Sequence, residues 1–207
     1  MKRTRIKICG LTRVEDVRCA VEAGADAIGL VFYPPSPRHV TPAQAAELAR
    51  HVPPFVTLVG LFVNPEETAV RSVLDQVPLQ MLQFHGDEPE AACRAFGLPW
   101  IKAARMRPGL DLLEFVSSYR SASGILLDAF VDGYGGGGKT FDWSLIPERL
   151  DLPVVLSGGL DADNVSEAVR RVRPWAVDVS SGVERAKGIK DAGRIAAFIT
   201  GVRNADA

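Results

Sequence analysis

A closed barrel of eight β/α units is the fold this sequence predicts, and three observations lead to it. Short apolar runs alternate with helical patterns from one end of the chain to the other. Several runs, such as Val154-Val155-Leu156, are continuous apolar blocks with β-branched residues, the composition of a parallel strand buried on both faces. The runs number eight, and about 26 residues per unit is close to the minimum for such a barrel. An open doubly wound sheet shares the alternating pattern. The count of eight, and an anion-site pattern in the last units, favour closure.

Strands are predicted over 5–9, 26–32, 56–63, 79–84, 100–104, 124–128, 153–157 and 176–180. The first helix runs from Thr12 or Arg13 to Ala23 and stops at Gly24, a natural residue just past a helix end. Thr41 can cap a second helix with Pro42 in its first position. Asn64-Pro65-Glu66-Glu67 repeats that arrangement before the third. Asp87 is a cap candidate for the fourth, with Pro89 in its first turn, and 161–172 has apolar residues at helical spacing. The Gly135-Gly136-Gly137-Gly138 run is too short and too near a strand end to be a linker, so 1–207 reads as one domain.

Composition narrows the function classes. Hydrophobic content is 47%, charged content 24% and formal net charge −1, ordinary for a globular protein and without the basic excess of a nucleic-acid or membrane-surface binder. No apolar stretch is long enough to cross a bilayer, and the basic N-terminus lacks the apolar core of a secretory signal. The three cysteines, Cys9, Cys19 and Cys93, have neither paired nor metal-ligand spacing. A reducing cytoplasm is the expected compartment.

The chemistry-bearing residues cluster at strand ends. Cys9 closes the first strand, in Lys7-Ile8-Cys9-Gly10-Leu11-Thr12, and Asp128 closes Ile125-Leu126-Leu127-Asp128. In a β/α barrel those ends open onto the catalytic face. A carboxyl there can act as an acid, or simply cap the next turn. Arg38 lies in the Pro-stiffened loop Pro34-Pro35-Ser36-Pro37-Arg38-His39. Its guanidinium can hold a carboxylate, although a solvated arginine is the better default there. His85 follows Gln83-Phe84 and reads as a hydrogen-bonding wall residue ahead of an acid–base group. Cys19 and Cys93 fall in helical patterns and read as packed thiols. Ser157-Gly158-Gly159-Leu160 and Asp178-Val179-Ser180-Ser181-Gly182-Val183-Glu184 end the last two strands. Two such turns in adjacent units point to a phosphate site more than to tight-turn geometry alone. Gly135 to Thr140 lacks the frame of a nucleotide-binding P-loop. It reads equally as a lid over a ligand and as a flexible surface loop.

Seven of these motifs, in order and spanning nearly the whole chain, resemble the phosphoribosylanthranilate isomerase family of tryptophan biosynthesis. Besides those quoted they include Gly29-Leu30-Val31-Phe32 with Ser36-Pro37-Arg38, Gln83-Phe84-His85-Gly86-Asp87 and Gly138-Lys139-Thr140-Phe141-Asp142-Trp143. The resemblance implies a single barrel, no metal, no organic cofactor and an Amadori rearrangement of a phosphorylated small molecule. By that similarity Cys9 is the general base, Asp128 the general acid and Arg38 the ligand of the anthranilate carboxylate. His85 and Asp178 join the substrate-binding set. Gly158, Gly159, Ser180, Ser181 and Gly182 hold the phosphate, and Gly136, Gly138 and Lys139 serve loop closure. Nucleic-acid and membrane partners are not expected, and either a monomer or a homodimer fits. The chain departs from the family pattern at Gly137, where threonine is usual, and at Lys187-Gly188, where Pro-Gly is usual.

Two rival classes share the phosphate turns. A related barrel enzyme would bring a lysine acid with an N-terminal extension, or an aspartate in the place of Cys9. A phosphosugar-binding protein without activity could lose Cys9 or Asp128, and both are present. Strand alternation adds one expectation of its own. Lys7 faces the same side as Cys9, one layer deeper, and Asp178 on the neighbouring strand can pair with it. That cation would favour the Cys9 thiolate.

Overall fold

The computed structural model describes residues 3–129 and 140–207. Eight parallel strands close into a barrel in chain order: β1 Arg5–Cys9, β2 Ala27–Val31, β3 Thr57–Phe62, β4 Met81–Phe84, β5 Trp100–Met106, β6 Gly124–Ala129, β7 Val154–Leu156 and β8 Ala176–Val179. All eight predicted strands are present. Their bounds differ from prediction by at most two residues at an end; β5 runs on to Met106 because Arg105 and Met106 pair with Asp128 and Ala129 of β6.

The helices are α1 Val14–Ala23, α2 Pro42–Ala49, α3 Glu67–Leu74, α4 Glu90–Cys93, α5 Leu112–Ser117, α6 Val165–Val172 and α7 Ala192–Asp206. No described helix is long and apolar enough to cross a membrane. Gly24 ends α1 in the left-handed conformation, and Thr41 forms a full capping box with Gln44 at the start of α2, with Pro42 in the first turn, as the sequence predicts. Two predicted caps are corrected. Glu66 and Pro89, not Asn64 and Asp87, precede α3 and α4. The Asn64 side chain instead accepts from the Asp87 backbone N–H, at 2.7 Å. It therefore ties two loops together rather than serving its own helix. The sixth unit also departs from expectation. Among its described residues it carries a single 3-10 turn, Trp143–Leu145, in place of an α-helix. After β8 a small hairpin intervenes, β9 Glu184–Ala186 with β10 Ile189–Lys190.

The strands divide the core in two. Residues such as Ile6, Ile8, Ile28, Leu30, Leu82 and Val177 point outward and are buried under the helices. The interior set changes character along the barrel axis. Met81, Ile101, Ala103, Leu126, Val155 and Ala176 make an apolar plug at its lower end. Above the plug, Lys7 and Asp178 face each other in register across the β1–β8 seam that closes the barrel. Their Nζ–Oδ1 distance is 2.8 Å and both are buried, which bears out the expected ion pair. Cys9 lies one inward position higher, among Val31, Leu61 and Val63.

A buried pair is costly to break because the surviving charge has no partner. Lys7→Met is expected to destabilise the fold by about 3–5 kcal/mol in urea unfolding, and Lys7→Met with Asp178→Asn by clearly less. Equal losses would show that the pair is not what closes the seam. For α2, Thr41→Ala is expected to cost about 1 kcal/mol in the same measurement.

Candidate active site

The C-terminal ends of the strands bring most of the predicted residues together. Cys9 ends β1 on the inner face and is 4% exposed. A Cβ built at Gly29 of β2 would lie 2.7 Å from Cys9 Sγ and 3.1 Å from Lys7 Nζ, so thiol and ammonium share one small volume. Burial pushes the Cys9 thiol up, and the nearby Asp178 carboxylate adds to this; Lys7 and Lys190 pull it down without prevailing. The expected thiolate-favouring cation is therefore present, but desolvation outweighs it. Burial would lower Lys7, yet Asp178 and Cys9 hold its ammonium above the ordinary value. Asp178 also accepts a hydrogen bond from Ser157 Oγ at 3.4 Å, so its carboxylate lies beneath the mouth rather than at it.

Asp128 faces inward near the end of β6. Its Oδ2 is 3.1 Å from His85 Nε2, and His85 Nδ1 is 3.1 Å from the Gln83 side-chain amide. His85 is thus a hydrogen-bonding residue of the wall, as the sequence predicts, and its partner is the candidate acid. A clamp outside the sheet fixes its loop. The buried Glu88 carboxylate accepts from Gly86 N and from Asn64 N, and Lys102 Nζ donates to Glu88 at 2.7 Å and to Gly86 O at 2.5 Å.

Arg38 overturns the solvated reading. It is buried, and its Nε and Nη2 donate to the two carboxylate oxygens of Glu184 at 2.7 and 2.8 Å. Lys190 Nζ donates to the same carboxylate at 2.9 Å. Burial raises the Glu184 carboxyl, but Arg38 and Lys190 outweigh it and hold it below the ordinary carboxylate range. Lys190 goes the other way: burial lowers it, Glu184 resists, and repulsion from Arg38 adds to the lowering. The two cations account for the Glu184 direction, and burial first, with Arg38 second, for that of Lys190. The hairpin that carries Glu184 and Lys190 is fastened to the start of α1. Thr12 Oγ1 donates to Gly188 O at 2.7 Å, and Asp16 accepts from Lys190 N at 3.1 Å. Gly188 itself sits against the Arg38 loop, where a Cβ would come within 2.9 Å of Pro37 O.

The two glycine-bearing turns meet beside Asp128 and Cys9. Gly158 and Gly159 both have positive φ, at 83° and 63°, and a Cβ at Gly158 would stand 3.0 Å from Asp128 Oδ1. A side chain at Gly182 would strike the Leu160 carbonyl, so glycine lets the second turn pack onto the first. Ser180 Oγ donates to Cys9 O at 3.0 Å, and Ser181 opens a 3-10 turn through Val183. Gly136, Gly138 and Lys139 lie outside the described residues. The sequence reading missed Gln83, Glu184 and Lys190 as site residues. Gln83 had a signal, since it is the one polar residue of β4 and lies two positions before His85, on the same face. Glu184 and Lys190 had none, because their partner is remote in sequence.

Comparison with known proteins agrees with this geometry. A family model described as N-(5'phosphoribosyl)anthranilate (PRA) isomerase matches residues 6–201. The chain is 64% identical to the N-(5'-phosphoribosyl)anthranilate isomerase of Dechloromonas aromatica over 99% of this chain and 98% of that one. It is 66% identical to the enzyme of the same name from Leptothrix cholodnii, over 99% and 93%. Among solved structures, the phosphoribosyl anthranilate isomerase of Thermotoga maritima superposes with a TM-score of 0.90 at 46% identity, covering 97% of this chain and 99% of that one. A phosphoribosyl anthranilate isomerase in complex with reduced 1-(o-carboxyphenylamino)-1-deoxyribulose 5-phosphate gives 0.87 at 43% identity, with the same coverage. Barrel, strand-end thiol and carboxylate, and similarity over almost the full length converge: the chain belongs to the N-(5'-phosphoribosyl)anthranilate isomerase family.

Proposed function

We propose that Cys9 and Asp128 are the acid–base pair with which this isomerase of tryptophan biosynthesis rearranges N-(5'-phosphoribosyl)anthranilate. The single observation that carries the assignment is their common placement. Both face the barrel interior at its C-terminal mouth, with the two glycine turns beside them.

The chemistry needs one proton in and one out. Asp128 gives a proton to the ribose ring oxygen, the C–O bond breaks, and the ring opens to a protonated Schiff base. That cation acidifies the hydrogen on the sugar's second carbon, and the Cys9 thiolate removes it. The enolamine then moves its enol proton to the first carbon and becomes the ketone. Atoms balance without a redox partner. A thiolate whose conjugate acid is weak is a strong base, which suits removal of a carbon-bound proton. Burial supplies that basicity, while Lys7 and Lys190 keep the anion within reach.

Arg38 takes the substrate carboxylate with the edge of its guanidinium that Glu184 does not occupy. The turns at Gly158-Gly159 and Ser180-Ser181-Gly182 take the phosphate on backbone N–H groups. His85 braces Asp128, and Asp178 acts from beneath through Lys7. All these residues come from one chain, so monomer and homodimer alike present a complete site. We place the protein in the cytoplasm, a reading supported by three unpaired thiols, one of them the proposed base.

Loss of anthranilate-type fluorescence on freshly made phosphoribosylanthranilate tests the pair. Cys9→Ala and Asp128→Asn are each expected to lower kcat by about 10²–10⁴ while melting like the wild type. Either variant turning over at the wild-type rate removes that residue from its role. Arg38→Met is expected to raise KM more than it lowers kcat. Because the Cys9 thiol is pushed up, its thiolate titrates above the ordinary thiol value. The ultraviolet thiolate absorbance of wild type minus Cys9→Ala is expected to titrate there, and to move further up in Lys7→Met. An unmoved titration in Lys7→Met would show that its cation does not act on the thiol.

A further inference from the structure

We propose that Gln83 is a positioning residue for proton transfer: the orientation of its side-chain amide decides which ring nitrogen of His85 carries hydrogen, and so how Asp128 holds its proton. This rests on the reading of Asp128 as the general acid.

Gln83 is wholly buried inside the barrel, on β4, one inward position below His85. Its register neighbours are Leu61 on β3 and Ile101 on β5, both apolar. Its nitrogen lies 3.1 Å from His85 Nδ1, and its oxygen, Oε1, has no hydrogen-bond partner among the described residues. Among the described residues, His85 is therefore the one group to which this buried amide is hydrogen-bonded. A buried amide oxygen left without a partner is unusual and calls for an explanation.

An amide has a donor end and an acceptor end of nearly the same shape. A half-turn about its terminal bond exchanges them with the same heavy-atom positions filled. With the NH₂ toward His85, Nδ1 must be bare. The imidazole hydrogen is then on Nε2 and is donated to an Asp128 carboxylate. With Oε1 toward His85, Nδ1 carries a hydrogen and donates it. Nε2 can then accept a proton held on Asp128 Oδ2, the loaded form of the acid. The half-turn itself moves no proton. It gives Nδ1 a matching partner whether the His85–Asp128 pair holds one proton or two. A side chain with only a donor, or only an acceptor, would fix the pair in one of those states.

Other charges facing the pair are few and belong to the site. Arg105 of β5 stands in register with Asp128 and also meets Asp87, at 3.3 Å. On the other side, the turn after β7 brings Ser157 and Gly158. Across the interior lie Cys9 and the Lys7–Asp178 pair, and the Lys102–Glu88 pair is tied to the loop that follows His85. None of these is hydrogen-bonded to His85 Nδ1, so the choice of tautomer falls to Gln83.

Nitrogen NMR of the ligand-free protein tests this directly. The chain has three histidines, and His85→Asn identifies the signals of His85 by their loss. In the wild type, His85 is expected to be bare at Nδ1 and protonated at Nε2 while the pair holds one proton, and to carry hydrogen at Nδ1 once it holds two. Gln83→Glu, which can only accept, is expected to keep Nδ1 protonated and to move the lower limb of the pH–rate profile up by about 1–3 units. Gln83→Met, of similar volume, is expected to mix the two tautomers and to lower kcat with KM unchanged. A wild-type His85 that is hydrogen-bearing at Nδ1 and bare at Nε2 throughout overturns the proposal without any variant. So do unchanged His85 signals and an unchanged limb in both variants. Failure of the underlying reading looks different: Asp128→Asn would turn over normally, whatever the His85 tautomer.

Discussion

The Lys7–Asp178 ion pair is the constraint around which the rest of the molecule is arranged. It lies where the first and last strands meet, so it sits on the seam that turns a sheet into a barrel. Two charges out of water do not stabilise a fold merely by pairing, because desolvation consumes much of their attraction. Their value here is positional. Below them the interior is an apolar plug; above them it carries Cys9, and toward the mouth His85 and Asp128 as a hydrogen-bonded pair. The pair marks the level at which a packed core becomes an active site. Cys9 sits directly on that boundary, which is why its thiol responds to both members and to burial at once.

The same logic of shared counter-ions recurs at the rim. Glu184 serves Arg38 and Lys190 together, and the three groups settle with the acid held low and the lysine also lowered. A guanidinium with two of its nitrogens already fixed loses little freedom when a ligand arrives. The cost of ordering Arg38 is met within the fold, by a hairpin whose own anchors, Thr12 and Asp16, belong to the first β/α unit. First unit, second loop and last loop are therefore one mechanical object. Gly188, which follows the departing residue Lys187, bears on this assembly through Pro37 and stands apart from the acid–base pair.

What the sequence made legible follows from the range of the interactions. Strands buried on both faces must be apolar blocks, so all eight could be read locally. Cys9 and Asp128 could be read because each ends such a block, where nothing in packing calls for a polar group. Lys7 and Asp178 followed from alternation and barrel closure alone. The failures have the opposite origin. Arg38 was read as solvated because its partner Glu184 lies 146 residues away. Asn64 and Asp87 looked like caps because local pattern cannot show that the Asn64 side chain is already bound to the Asp87 backbone. The sixth helix was expected from repetition, and repetition carries no information about the unit that breaks it.

Gln83 shows how a residue can be visible in sequence and still be misjudged. A glutamine facing the interior of a barrel between leucine and isoleucine is a local conflict, and such conflicts persist where function compensates for them. A methionine would fill the space without an orphaned oxygen. Among the described residues, only one of the two ends of this amide has a partner. That arrangement is poor for stability and well suited to a neighbour whose proton count must change during turnover. The unsatisfied oxygen and the proposed acid are connected through a single imidazole, over two contacts of 3.1 Å. The half-satisfied amide at the floor of the site and proton transfer at its mouth are then two ends of the same chain of hydrogen bonds.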